Sequence, residues 1–374
     1  MHAPRALLLF SLPFLACTAL PAQLTLQDSH TSASLRGVDS LGGGIVWASG
    51  SEGTVLRTTD DGVTWQKCAV PPGGEKLDFR GVQAFDADTA VVMASGKGSL
   101  SRIYRTTDGC KTWKLSFEDP DETGFFDTLR KVTSKQMYLL GDPVMGKFSM
   151  FYTSDQGVTW SIADDPGLDA DKDDGAFAAS NSSLVALGNQ LFFGTGGGPA
   201  AHVYFTYPKC PEGATAKATE QACPLAWRRT DTPLAAGSGG AGVFSLAGRN
   251  TSSQSGVMST LLVAVGGDYT KPGASAGTAA WSRDGGATWN AAAAPPAGYR
   301  SAVVFDQRTL RFVAAGPNGV EISTDNGAHW APVAGLEPET AKGWNAISLP
   351  FMVGWKGRIG RFTPTTISLP VSKH

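Results

Sequence analysis

Apolar and polar residues alternate along this chain in short runs, and the runs come in groups of four. Around Trp113 they read RGVQAF (80–85), TAVVMAS (89–95) and SRIYRTT (101–107), with TWKLSF following. Period-two alternation bounded by Gly, Asp and Ser predicts strands joined by tight turns. Four such strands make one β-propeller blade. The group before it holds SLRGVDSL, GIVWASGS, GTVLRTT and TWQKCAV; the group after it holds FFDTLRKV, QMYLLG, KFSMFYTS and TWSIA. Two later groups repeat the plan: GVFSLAG, TLLVAVGG, TAAWSRD, TWNAA, then YRSAVVF, LRFVAAG, GVEISTD, HWAPV.

Each of these five groups carries one turn before its last strand. The turns are TTDDGVTW (58–65), RTTDGCKTW (105–113), TSDQGVTW (153–160), SRDGGATW (282–289) and STDNGAHW (323–330). They fit S/T-x-D-x-G-x-T-W closely. The paired residues are Asp60 and Trp65, Asp108 and Trp113, Asp155 and Trp160, Asp284 and Trp289, Asp325 and Trp330. A short carboxylate in a turn accepts backbone N–H groups of its own loop. Gly62 supplies positive φ, Thr64 is expected to begin a strand, and Trp65 buries a large ring. The pattern resembles the Asp box, or BNR repeat, which implies a structural turn between the third and fourth strands of a blade and not a ligand site.

The first three tryptophans are almost evenly spaced, but the step from Trp160 to Trp289 is more than twice as long. SSLVALG, QLFFGTGG, HVYFTYP and LAWRRTD fill it, predicting a fourth blade whose turn is replaced by an insert at about 208–225. Trp227 stands in for the missing tryptophan. After Trp330 come WNAISLP, FMVGW and GRIGRF, three strands without a turn of this kind. A ring must close to hide its edges. The fourth strand is either QLTLQD (23–28) or TTISLPV (365–371). The expected fold is all-β: a seven-bladed propeller of four-stranded antiparallel blades, or six blades if the last strands only cap.

Composition agrees. Of 374 residues 17% are charged and 46 are Gly, against about 25% charged and about 7% Gly in ordinary domains. The net charge of −2 gives no support to nucleic-acid binding through a basic surface. Arg5 followed by an apolar run from Ala6 to Leu20 reads as an export signal (1–22), cut after Ala22 or Ala19, leaving one propeller domain (23–374) without a membrane span. Export to the periplasm or outside the cell is expected. FLAC, with Cys17, offers lipid anchoring as the rival. The remaining cysteines, Cys68, Cys110, Cys210 and Cys223, permit disulfides in that compartment. Cys68 and Cys110 fall on one rim of neighbouring blades, and Cys210 with Cys223 brackets the insert. No C-x-x-C spacing points to zinc.

Candidate chemistry is thin. Arg36, Arg80 and Arg300 start inner strands, and Arg130 and Arg249 lie further along theirs. Inner strands line the central channel, so these side chains can converge on one mouth and take carboxylates or phosphates. The alternative is that each pairs with a neighbouring acid. Asp169, Asp171 and Asp173 have the D-x-D-x-D spacing of a calcium loop, but Asp174 stands where such a loop needs Gly, and Ser180 where it needs Glu. A solvated loop is expected, with no metal and no cofactor. GTGGGP (194–199) precedes a strand and reads as a hairpin turn, not a phosphate loop. His329, at a threonine position, is expected to serve its turn.

RGV at the blade starts, the repeated turns and the closing GRIGRF resemble the photosystem II stability/assembly factor family. GAFAASN (175–181), GVFSLA (242–247), GGDY (266–269), YRSAVVF (299–305) and GPNGVEIS (316–323) resemble its bacterial branch. The resemblance covers residues 30–362. It implies a seven-bladed, non-enzymatic propeller whose photosynthetic relatives bind a membrane-protein precursor through an arginine-rich face. The expected function is binding a protein or peptide partner in the cell envelope, as a monomer, with an assembly or stability factor for an envelope complex as one form of that role. One alternative is a sialidase-like glycan hydrolase, which needs an arginine triad, a Tyr–Glu pair and an acid; the F/Y-R-I-P motif is missing. A redox enzyme, the label some bacterial members carry, is the other.

Overall fold

The computed structural model describes residues 23–163, 165–209, 225–252 and 258–363. Seven four-stranded antiparallel sheets stand in a ring. Their inner strands are Leu35–Gly42, Phe79–Ala84, Phe126–Lys131, Leu184–Leu187, Ala241–Ser252, Ala302–Asp306 and Trp344–Ser348, which number the blades 1 to 7. The only helix among the described residues is one 3₁₀ turn, Gly98–Leu100. None is long and apolar enough to cross a membrane.

Blade 7 closes the ring. Its outermost strand is Gln23–Gln27, which pairs with Ile359–Thr363 from Gln23↔Thr363 to Gln27↔Ile359. QLTLQ therefore seals the propeller, and TTISLPV lies outside the described residues. The seam is held further by blade 1: Trp65 Nε1 donates to Gln27 Oε1 at 3.0 Å, and Arg361 pairs with Asp61 at 2.7 Å.

Apolar faces of adjacent blades pack on one another, so the core is a ring of interfaces. Each turn tryptophan plugs the interface to the preceding blade. Trp113 meets Trp47 of blade 1 edge-on at 6.4 Å, Trp65 meets Phe351 of blade 7, and Trp160 stacks on Phe117 of blade 2. Trp227 fills this place in blade 4, buried against Phe193. Cys68 and Cys110 form a disulfide that staples blade 1 to blade 2. Cys17, Cys210 and Cys223 lie outside the described residues.

The turns follow one hydrogen-bond plan. Thr58 Oγ1 donates to Asp60 Oδ1 at 2.7 Å, and Thr64 gives its N–H and its hydroxyl to the same carboxylate at 2.9 and 2.6 Å. Thr64 thus belongs to the turn, and the strand starts only at Gln66. In the last turn His329 does the threonine's work, its Nδ1 lying 2.6 Å from Asp325 Oδ2. The second turn departs from the pattern. Cys110, not a glycine, takes the place of Gly62 and has φ 63°, a conformation that side chains disfavour. Its disulfide accounts for the residue chosen.

Candidate binding cleft at the channel mouth

Five inner strands share one irregularity. The register against the second strand slips between Leu35 and Gly37, Phe79 and Gly81, Phe126 and Thr128, Val243 and Ser245, and Trp344 and Ala346. The extra residues are Arg36, Arg80, Asp127, Phe244 and Asn345. A bulge re-aims the side chain of its extra residue, and all five line one cleft of about 720 Å³ at the channel mouth. Alternation alone would have sent each to a different face.

The channel is not open from end to end. Ahead of the short inner strand of blade 4, residues 175–183 cross it. Ser180 Oγ donates to Ser301 O at 2.7 Å, Asn181 Oδ1 accepts Leu129 N at 2.8 Å, and Ser182 Oγ lies 2.7 Å from Ser245 Oγ. This segment therefore touches blades 3, 5 and 6 at once. Gly81 makes room for it, because a Cβ there would sit 2.7 Å from Asn181 Oδ1. Ala176 to Ala179 floor the cleft, and Ser180 to Ser182 floor a second cavity of about 440 Å³ at the opposite end.

Two arginines meet at the mouth. Arg80 is tied down: its Nε donates to Asp78 at 2.8 Å and its Nη1 to Ala178 O at 3.1 Å. Arg36 Nε is buried without a hydrogen-bond partner among the described residues. Burial, then the like charge of Arg80, lowers the Arg36 pKa. Beside them are two carboxyls. Asp127 is 1% exposed, with Oδ2 unpaired, and burial reinforced by Asp142 pushes its pKa well up. Burial raises Asp142 to about 6 although Ala176 N donates to it at 3.0 Å.

The opposite wall is aromatic. Phe177 stacks on Phe244 at 3.7 Å, and Tyr299 meets Phe244 edge-on at 4.8 Å. Burial raises the Tyr299 pKa, so its phenol is neutral. Tyr269 and Trp355 stand on the rim, 53% and 49% exposed. The mouth thus sets unpaired positive charge against ring faces and edges.

Of the five arginines expected to converge, the structure brings together Arg36 and Arg80 alone. Arg130 lies further along its strand and lines the opposite cavity. Arg249 reaches the next blade, 3.2 Å from Asn326 and over the Phe305 ring. Arg300 is the instructive miss. YRSA looks like LRGV, yet Gly316 packs on the Arg300 Cα as Gly50 packs on that of Leu35. Arg300 therefore holds the buried leucine's position and Ser301 the arginine's. A one-residue offset exchanges faces. Arg300 is 1% exposed and paired with Glu321 at 2.7 Å, as a charge there must be. Asp127 and Phe244 carried no signal in the sequence, since the bulges bring them to the cleft.

The acidic run is regrouped too. Asp173 lines the cleft and the Asp169 backbone carbonyl accepts Tyr204 Oη, while Asp171 joins Asp174 and His202 on the flank of blade 4. GTGGGP is the expected hairpin connection between Gln190–Gly194 and Ala201–Pro208.

No protein-family model matches the chain, and no curated protein does. Solved structures share its fold. YCF48 bound to D1 peptide superposes with a TM-score of 0.52 at 15% identity, over 93% of this chain and 98% of that one. YCF48 from Cyanidioschyzon merolae gives 0.55 at 16% identity, over 91% and 98%. An ancestral GH74 enzyme gives 0.50 at 14% identity, over 91% of this chain but only 42% of the enzyme's. The propeller implied by the sequence resemblance is thus the fold observed.

Proposed function

We propose that this protein is a YCF48-like propeller that binds an extended peptide or a protein tail at the channel mouth. The observation that carries this is Arg36: a half-buried guanidinium whose Nε–H is buried and unpaired among the described residues, beside Arg80 and facing an aromatic wall. An unpaired buried N–H is costly, and a peptide carboxylate would relieve that cost with charge-assisted hydrogen bonds. The cleft is of ordinary ligand-pocket size. Phe244, Tyr269 and Trp355 offer surfaces for an apolar or aromatic neighbour of that carboxylate. The D1 peptide held by YCF48 on the same fold supports the reading. An exported protein acting on an envelope complex fits the signal-like N-terminus, and the Cys68–Cys110 disulfide supports an oxidising compartment. The turns are best read as Asp boxes.

Glycan hydrolysis is the second reading, favoured by the adjacent raised carboxyls of Asp127 and Asp142. Asp127 is too deeply buried to reach a sugar, which weighs against it. No observation at the cleft favours a redox role.

Fluorescence polarisation against a library of labelled peptides with free C-terminal carboxylates tests the proposal. Arg36→Ala and Arg80→Ala should each weaken the best binder about tenfold or more, the scale of one charge-assisted bond, whereas Arg249→Ala should not. Equal affinity in all three variants would refute the site, and turnover of a chromogenic glycoside lost in Asp142→Asn would favour the second reading.

A further inference from the structure

On the flank of blade 4 a histidine sits as metal-binding histidines do. His202 lies on Ala201–Pro208, directly opposite Asp231 on Leu225–Thr232. Its Nδ1 is 3.0 Å from Asp231 Oδ1. A carboxylate there accepts the Nδ1 proton and leaves the lone pair on Nε2. His202 is 3% exposed, and this Nε2 has no hydrogen-bond partner among the described residues. It points between two carboxylates, 3.6 Å from Asp171 Oδ2 and 3.8 Å from Asp174 Oδ2. The Asp174 side chain is fully buried, and its Oδ1 is unpaired as well.

We propose that Asp171, Asp174 and His202 bind a divalent first-row transition-metal ion, with Asp231 positioning the imidazole. The spacing favours an ion over a proton. Gaps of 3.6 and 3.8 Å exceed a hydrogen bond. Two metal–ligand bonds of about 2.1 Å at a tetrahedral angle place donor atoms about 3.4 Å apart, so the ligands need move only slightly. Imidazole with two carboxylates suits zinc, cobalt or manganese better than calcium, which prefers oxygen alone. Charge agrees. Arg229 contacts Asp171 at 2.8 Å and lies 3.7 Å from Asp174, so one guanidinium is set against two carboxylates beside the imidazole. Asp171 is 44% exposed, which gives the ion a way in and leaves a coordination position for water.

The site has a consequence for the channel. Asp174 immediately precedes Gly175, where the crossing segment begins, and Asp173 between the two aspartates lines the cleft. A bound ion would clamp the root of the segment that floors the mouth, without touching the mouth itself.

Titration of zinc chloride into tag-free, chelator-stripped full-length protein, followed by calorimetry, is the test. One equivalent should bind at micromolar affinity or tighter, and cobalt substitution should give visible d–d absorption. His202→Gln should weaken binding about 100-fold, and Asp231→Asn about ten- to 100-fold as an outer-shell change. Should His202→Gln fail to fold, Asp171→Asn, at an exposed carboxylate, carries the test with the same expected loss. No saturable one-to-one uptake by the wild type, or uptake unchanged in both His202→Gln and Asp171→Asn, would overturn the proposal. Loss of peptide binding with intact metal uptake would count against the mouth alone.

Discussion

Aspartates at the rim and at the mouth of this propeller are the same residue put to opposite physical ends. At the rim, Asp60, Asp108 and Asp155 accept two hydroxyl and at least one backbone hydrogen bond from their own turns, and those bonds hold each carboxyl at about 2. At the mouth, burial drives Asp142 to about 6 and Asp127 well above its usual range. The rim satisfies its carboxylates locally and repeats the solution five times, although Trp160 Nε1 in the third turn is buried without a partner among the described residues. The mouth leaves Arg36 Nε and Asp127 Oδ2 unpaired. Unsatisfied buried groups lower stability and are tolerated where they await a partner. The repeated, saturated region builds the molecule; the irregular, unsaturated one is where a ligand has something to gain.

The comparison can be broken at its strongest point first. Trp113 is 8% exposed, packs on Trp47 and donates Nε1–H to Ala69 O at 2.8 Å. Trp113→Ala leaves a cavity between blades 1 and 2 and an unpaired carbonyl, for an expected loss of about 3–5 kcal/mol in denaturant unfolding. Peptide affinity of the folded protein should not change. A tenfold loss of affinity with little loss of stability would show that the rim is not merely structural.

Much of the rim was legible beforehand, because its determinants are local. The Asp, the hydroxyls and the tryptophan of each turn lie within eight residues, and the strand runs around them match the observed blades. Even there, Thr64 looked like a strand residue on β-branching alone, when its hydroxyl was the informative atom. The mouth was only half legible. It is assembled by bulges, and one extra residue in a strand leaves no mark in an alternating pattern. That is why Arg36 and Arg80 line the mouth while Arg300, one step out of register, is buried against its own blade. Residues 175–183 gave no sign of leaving their blade, because their partners are up to 121 positions away, as with Ser180 and Ser301. His202 went unnoticed for the same reason: Asp231 is its neighbour only across a strand pair.

A smaller effect separates the two regions by the sign of their pH dependence. The folded Asp142 carboxyl keeps its proton up to about pH 6, while an unfolded one releases it near 3.8. Between those values the folded state binds more proton, so this group's contribution to stability is fully present below pH 3.8 and is lost as pH rises through 6. The rim carboxylates act in reverse: their contribution is present above 3.8 and is lost on acidification toward 2. Asp142→Asn should therefore flatten the decline between pH 4 and 6 by about 2 kcal/mol, measured as unfolding free energy against the wild type, and leave the acid limb below pH 4 in place. An unchanged slope between pH 4 and 6 would mean that Asp142 ionises normally and the mouth is wetter than its burial indicates. Ionisation of Asp142 also adds a negative charge to the cleft that Arg36 and Arg80 line, so an anionic peptide should bind the wild type more weakly above pH 6, and Asp142→Asn equally across that range.

The smallest stability change is expected where the functional change is clear. Arg36 makes no hydrogen bond through its buried Nε, and both burial and Arg80 oppose its charge. Removing it deletes stem packing but also relieves a desolvated, like-charge contact, and these terms act in opposite directions. Arg36→Ala should shift unfolding free energy by no more than about 0.5 kcal/mol, a surface-like value for a half-buried residue. Arg80→Ala should cost more, because it strands Asp78 and the Ala178 carbonyl. A desolvated charge that adds nothing to the stability of the fold is a candidate for use by a ligand. If Arg36→Ala instead destabilised the protein by several kcal/mol, Arg36 would be a structural residue like those of the rim, and the contrast between the two regions would fail at the residue that defines it.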